Sequence, residues 1–204
     1  IALDLNEVSD LEQFHQLCAA SDVLVCNWRT AARERKQLTY KHVQLRHPHL
    51  IFSHITGFGG KGPKANYPGY EHLIAAASGR MQLFSGIVDR SGPVFSALQV
   101  GTHACAQSTV FGILAALLER DEFSRGRLVE TSLLQGMLPY EMGSMIGAQF
   151  PEQFAEMFSI ADSHEVPMPS LFYHPAQAGD GRWVQFGNLL PHLFDNFLLV
   201  TDLT

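Results

Sequence analysis

The chain has little cysteine: Cys18, Cys26 and Cys105 are the three in 204 residues, an odd number without CxxC spacing. That argues against a disulfide framework and for a reducing compartment, so a cytoplasmic protein is expected. An excess of positive charge is also missing, since 14 Lys and Arg stand against 20 Asp and Glu, for a formal charge of −6. A phosphate backbone calls for a basic stripe, so nucleic acid is not an expected partner. No run approaches the ~18 apolar residues that a membrane helix needs. The N-terminus lacks the basic-then-apolar order of a signal peptide, and no membrane association is expected. There is no GxSxG elbow of the serine-hydrolase kind, no internal repeat and no low-complexity tract.

What is present is globular: 46% hydrophobic and 17% charged residues, enough to bury a core. The opening IALDLNEVSD starts as if a strand were under way, and FLLVTDLT stops inside an apolar segment. A domain rarely ends where an apolar face still needs a partner, so a fragment or partial chain is expected. In SDLEQFHQLCAA, Leu11, Phe14, Leu17 and Cys18 fall at helical spacing, with Ser9 as N-cap and Glu12 three residues on as a capping box. SDVLVCN reads as a strand, TAARERKQL as helix, and HPHLIFSHITGFG as a strand emptying into a glycine-rich loop. This alternation predicts a parallel α/β sheet covered on its faces. EHLIAAASGRMQLF reads as helix until Gly79, and SGP at 91–93 as a hairpin-like segment. VGTHACAQSTVFGILAALLER, 100–120, is a helix with a polar entrance, and RLVETSLLQGML is a buried strand running into helix. Residues 141–170 suggest a long helix and an irregular connection, and DGRWVQFGN the first strand of an antiparallel unit.

GFGGKG, 57–62, matches GxGxxG after a strand. The dinucleotide fingerprint needs its last glycine to open a helix, whereas Pro63 and Pro68 hold this loop extended, so no nicotinamide or flavin is expected. Converging backbone amides in such a loop can still cradle an anion. His47 with His49, and His103 with Cys105, lack further ligands at metal spacing, and no metal is expected. Cys105 reads as a small core residue. Asn27, Arg29, Arg33 and Arg35 follow a strand's carboxyl end, where open α/β sheets bind ligands, and arginine's planar fork suits phosphate.

In order along the chain, IALDL, SDVLVCNWR with RER, LIFSHITGFGGKGP, YPGYEHLIAAASG, GILAALLER and SRGRLVETSLLQGM together resemble the family III CoA-transferases. That group includes formyl-CoA transferase, the carnitine and bile-acid CoA-transferases and α-methylacyl-CoA racemase. The resemblance covers residues 1 to about 140 and implies a first β-α-β unit ahead of IALDL that is missing here. It also implies a Rossmann-like large domain over 1–140, a connecting helix and linker over 141–175, and the start of a smaller domain over 176–204. Two chains interlocked as a homodimer or heterodimer would complete it. Coenzyme A, as acyl-CoA, and a carboxylic acid acceptor are the implied substrates. CoA-binding positions carry over to Asn27, Trp28, Arg29, Arg35, Thr56, Gly57, Phe58 and Gly59.

The resemblance further implies an aspartate ahead of GILAAL whose carboxylate attacks the acyl-CoA thioester, splitting a hard exchange into easier steps. Counting ten or eleven residues back from Gly112 lands on Thr102 or Gly101, and no Asp or Glu occurs from Ser91 until Glu119. The racemase branch pairs that aspartate with a histidine where Tyr70 stands here, beside Glu71. Three explanations stay open: a non-catalytic partner half of an active transferase, chemistry moved to a group such as His103 or Glu71, or a loop insertion that hides the acid. Thr102 and His103 occupy the nucleophile's place. An unactivated hydroxyl is a poor nucleophile without an adjacent base.

Overall fold

A computed structural model describes residues 1–83, 92–153, 175–188 and 190–202. Helix α1 (Val8–Ala19) leads to β1 (Val23–Cys26), then α2 (Thr30–Arg35), α3 (Tyr40–Arg46) and β2 (Ile51–Thr56). After a loop come α4 (Glu71–Ala77), α5 (Arg80–Leu83), the long α6 (Val100–Phe123), β3 (Leu128–Ser132) and α7 (Leu133–Met137). A 3₁₀ turn (Leu138–Glu141) passes into α8 (Met142–Gln149); β4 (Pro175–Gln177), β5 (Trp183–Gln185) and α9 (Pro191–Thr201) follow.

The expected mixed α/β fold is present, with a parallel sheet in the order β1-β2-β3. Val23 lies opposite Ile51, and Phe52 opposite Leu128. Central β2 is paired on both edges and covered on both faces, which is why Ile51, Phe52, Ser53 and His54 are all buried. One core packs Phe14 and Cys18 of α1 with Cys26, Leu38, Val43, Leu50 and Phe52. A second gathers Ile74, Ala75, Val100 and Met137, with Phe58, Leu133 and Leu134 against it. Each such large apolar side chain contributes roughly 1.5–3 kcal/mol on full burial. The first cluster holds the sheet to α1 and α3, the second holds the entrance of α6 to α4 and α7, and contacts of α6 with β2 and β3 join the two.

Four expectations are corrected. The opening residues form no strand: Ile1 is 94% exposed, and the Asp4 carboxylate accepts from the Asn6 amide at 2.9 Å. Such a local side-chain turn competes with extension and directs the chain into α1. The capping box is not formed, because α1 begins at Val8 with Glu7 as N-cap; Ser9 bonds Asp10, and Glu12 pairs with Arg46 at 2.6 Å. DGRWVQFGN carries the second strand of its hairpin, since β5 pairs antiparallel with the preceding β4. Finally, α6 is by length and composition long and apolar enough to cross a membrane. Thr102, His103, Gln107 and Ser108 interrupt its apolar run without adding charge, so a count of unbroken runs passes over it. Its contacts with β2, β3 and α7 make it an element of the fold. The helix expected from Tyr70 breaks at Gly79, whose φ of +85° ends α4 and allows α5 to begin. Most of the expected 141–170 helix and connection, and Ser91 of the SGP segment, lie outside the described residues.

Candidate functional site

Parallel neighbours β1 and β2 release their chains at the same edge of the sheet, after Cys26 and Thr56. Asn27, Trp28 and Arg29 continue from the first, and Gly57 opens the glycine loop from the second. With Tyr67, Tyr70, Thr102 and Cys105 they line a cleft of about 460 Å³. Ligands of open α/β sheets bind at such carboxyl ends because the loops diverge there.

The loop wall depends on two glycines. A Cβ at Gly69 would stand 2.7 Å from the Gly57 Cα, so residues 57–69 close on themselves only without side chains at these two points. The Thr56 hydroxyl oxygen accepts from the Gly59 amide at 2.9 Å and tightens the turn. Gly62 opens no helix, since the next begins at Glu71, after Pro63 and Pro68.

On the other wall, His54 is fully buried, and its Nε2 donates to the Trp28 carbonyl at 3.0 Å. A carbonyl can only accept, so that nitrogen carries the proton. Burial holds the imidazole below its ordinary 6.5, and the Trp28 bond only partly offsets this. The neutral ring therefore pins the Asn27–Arg29 segment to the sheet.

The arginine cluster divides. Arg29 faces the cleft. Arg33 is buried, with its guanidinium 5.8 Å from the Phe52 ring centroid, a cation–π placement in the core. Arg35 is exposed at the end of α2 and lines no hollow described here. Phe58 and Gly59 face a second hollow of about 400 Å³ with Lys61, Glu130 and Gln135. Of the sequence-derived positions, Asn27, Trp28, Arg29, Thr56, Gly57 and Thr102 come together in the first cleft; Arg35, Phe58, Gly59 and His103 do not.

Thr102 and His103 both lie inside α6 rather than in a turn before it. Neighbours on a helix point about 100° apart. Thr102 therefore faces the cleft while His103 is exposed elsewhere on the helix. Cys26 at the end of β1 and Cys18 on α1 offer no ready nucleophile, because burial raises Cys26 and pushes Cys18 to about 11. Cys105 packs as the small core residue expected. His47 bonds His15 through ring nitrogens 3.1 Å apart, and among the described residues no group of three or more His, Cys, Asp or Glu gathers as for a metal.

The residue that sequence reasoning undervalued is Glu71. It is 6% exposed, and Oε1 accepts from the Gly101 amide at 2.8 Å, while Oε2 accepts from the Thr102 amide and the Thr102 hydroxyl, each at 2.7 Å. The first amides of a helix have no partner within it, and its dipole favours a negative charge there. A signal was available: α6 has Gln99 as N-cap and no acid in its first turn, so its cap must come from another element.

The fold is that of an α/β protein with an open cleft at the carboxyl ends of a parallel sheet, walled by a glycine loop and a helix entrance. The chain belongs to CoA-transferase family III, whose family model matches residues 1–203. It is 28% identical over 187 residues to the (R)-2-hydroxy-4-methylpentanoate CoA-transferase of Clostridioides difficile, covering 91% of this chain and 44% of that protein. The cinnamoyl-CoA:phenyllactate CoA-transferase of Clostridium sporogenes is 29% identical over the same shares. A formyl-CoA:oxalate CoA-transferase of Escherichia coli O139:H28 is 32% identical over 138 residues, 68% of this chain and 33% of that one. A CAIB/BAIF family protein from Brucella suis shares the fold, with a TM-score of 0.67 at 23% identity over 90% of this chain and 46% of that one. The chain thus spans less than half the length of these relatives.

Proposed function

We propose that this chain binds an acyl-CoA thioester in the cleft and takes part in moving CoA between carboxylic acids. One observation carries the reading: residues far apart in sequence, Asn27–Arg29, Gly57 and Thr102, converge on one cleft at the strand ends. Arg29 offers a forked cation for the phosphates of CoA, the Gly57 loop lets a ligand approach the backbone, and Thr102 stands where thioester chemistry takes place in the family resemblance. The cysteines Cys18, Cys26 and Cys105 are all unpaired, which supports a reducing, cytoplasmic setting. A dimer with itself or with a homologous subunit is the assembly this reading carries.

Calorimetric titration of the 204-residue chain with CoA tests it. Arg29→Ala is expected to weaken binding about tenfold, the loss of one charge-assisted contact of about 1.4 kcal/mol. Arg35→Ala is expected to have a smaller effect, because that side chain stands outside the cleft. Equal losses, or none, would move the CoA site elsewhere. Mass detection of a new CoA thioester, when acyl-CoA and an acceptor acid are supplied together, then tests the transfer itself.

A further inference from the structure

Thr102 combines three properties. It lines the 460 Å³ cleft, its hydroxyl donates to a carboxylate oxygen at 2.7 Å, and that carboxylate is buried and held by a second donor, the Gly101 amide at 2.8 Å. A hydroxyl within hydrogen-bond reach of a base that is itself oriented by a third group is the arrangement of an activated nucleophile. The helix entrance alone would not indicate this. A cleft-lining threonine whose hydroxyl is bonded to a buried carboxylate is what carries it.

We propose that Thr102 is an oxygen nucleophile, with Glu71 as its general base, and that this pair cleaves acyl thioesters through an acyl-threonyl ester. The substrate class rests on the reading of the cleft as an acyl-CoA site. Glu71 Oε2 takes the hydroxyl proton as Thr102 Oγ1 bonds to the thioester carbonyl carbon. The carbon–sulfur bond then breaks, and the proton passes from Glu71 to the departing sulfur, leaving CoA thiol, acyl-Thr102 and the Glu71 carboxylate. In the second half water attacks the ester carbonyl, Glu71 takes a proton from it, and Thr102 Oγ1 leaves with that proton. The products are the free acid and the starting protein. A threonyl ester holds the acyl group and cannot itself hold CoA, so thiol release without any acceptor acid is the distinguishing outcome.

Acetyl-CoA alone, followed by thiol release with Ellman's reagent and by peptide mass, reads the first half. The expected result is an acetyl group on Thr102, with thiol release lost at least 100-fold in Thr102→Ala and retained in Thr102→Ser, the scale of lost nucleophilic and base assistance. Glu71→Gln keeps one acceptor oxygen where Glu71 offers two to the Gly101 and Thr102 amides, so its folding is checked by circular dichroism; in the folded variant acetylation should fall comparably, and acetylation at the wild-type rate would overturn Glu71 as the base. p-Nitrophenyl acetate, which needs no CoA site, is the second probe: a nitrophenolate burst is expected from the wild type and not from Thr102→Ala. If that ester acetylates Thr102 while acetyl-CoA does not bind, the CoA reading fails and the nucleophile stands. If acetyl-CoA binds and neither probe acylates Thr102, the nucleophile is overturned and the CoA reading stands. An acyl or CoA adduct on Glu71 also overturns it.

Discussion

The two halves of α6 are buried against the grain of their composition: the small, polar first half is the better covered, and the second half, rich in large apolar residues, is the more exposed. From Val100 to Thr109, Val100, Gly101, Cys105 and Thr109 are buried, and the Thr109 hydroxyl is bonded to the Cys105 carbonyl and the Thr131 hydroxyl, both at 2.7 Å. From Val110 onward only Ala116 is buried, while Phe111 is 69% and Leu118 75% exposed. The difference is what stands opposite. Gly136 of α7 lets the two helix backbones approach so closely that a Cβ there would lie 2.6 Å from the Cys105 amide nitrogen. Glu71 meets the first amides from another side. A helix face is a core face only where another element supplies its complement, whatever its own apolarity.

If that contrast holds, damage should fall steeply from the first half to the second. Gly136→Ala sets a methyl against backbone that cannot yield, and should lower stability by about 3 kcal/mol in urea unfolding. A loss under about 1 kcal/mol would mean the approach of α7 to α6 is loose. Glu71→Ala leaves the Gly101 and Thr102 amides without their acceptor and should reduce stability by about 2 kcal/mol by the same measurement. Thr109→Val keeps the shape but loses both hydroxyl bonds, for about 1 kcal/mol. Leu118→Ser, on the exposed half, should alter stability by no more than about 0.5 kcal/mol. A larger loss there would show that this face is covered in solution and would remove the contrast.

Much of the fold was legible because its elements announce themselves locally. The runs around Val23–Cys26 and Ile51–Thr56 have strand length between helical segments, and parallel pairing follows because each return passes through a helix. Local signals misled where a competing bond was stronger: Ser9 suggested a cap, but the N-cap is Glu7, two residues earlier, and Asp4 turned an apparent strand into a bend. The site was legible in part. Asn27, Trp28, Arg29, Thr56, Gly57 and Thr102 were placed by motif and do share a cleft. Phe58, Gly59 and Arg35 belong to the same motifs yet face elsewhere, because a motif records order along the chain and not direction in space. His103 is separated from Thr102 by the helical turn itself.

The amino-acid sequence by itself determined the α/β class, the family and the absence of an acid at position 102, since each is a matter of residue identity and spacing. Only the tertiary structure decided that a carboxylate stands there nonetheless. Glu71 comes from α4, about 30 residues earlier in the chain, a separation at which no periodicity or capping rule operates. The unsatisfied amides of α6 draw it in, and packing of Ile74 and Ala75 against Val100 and Met137 holds the two helices where that bond can form.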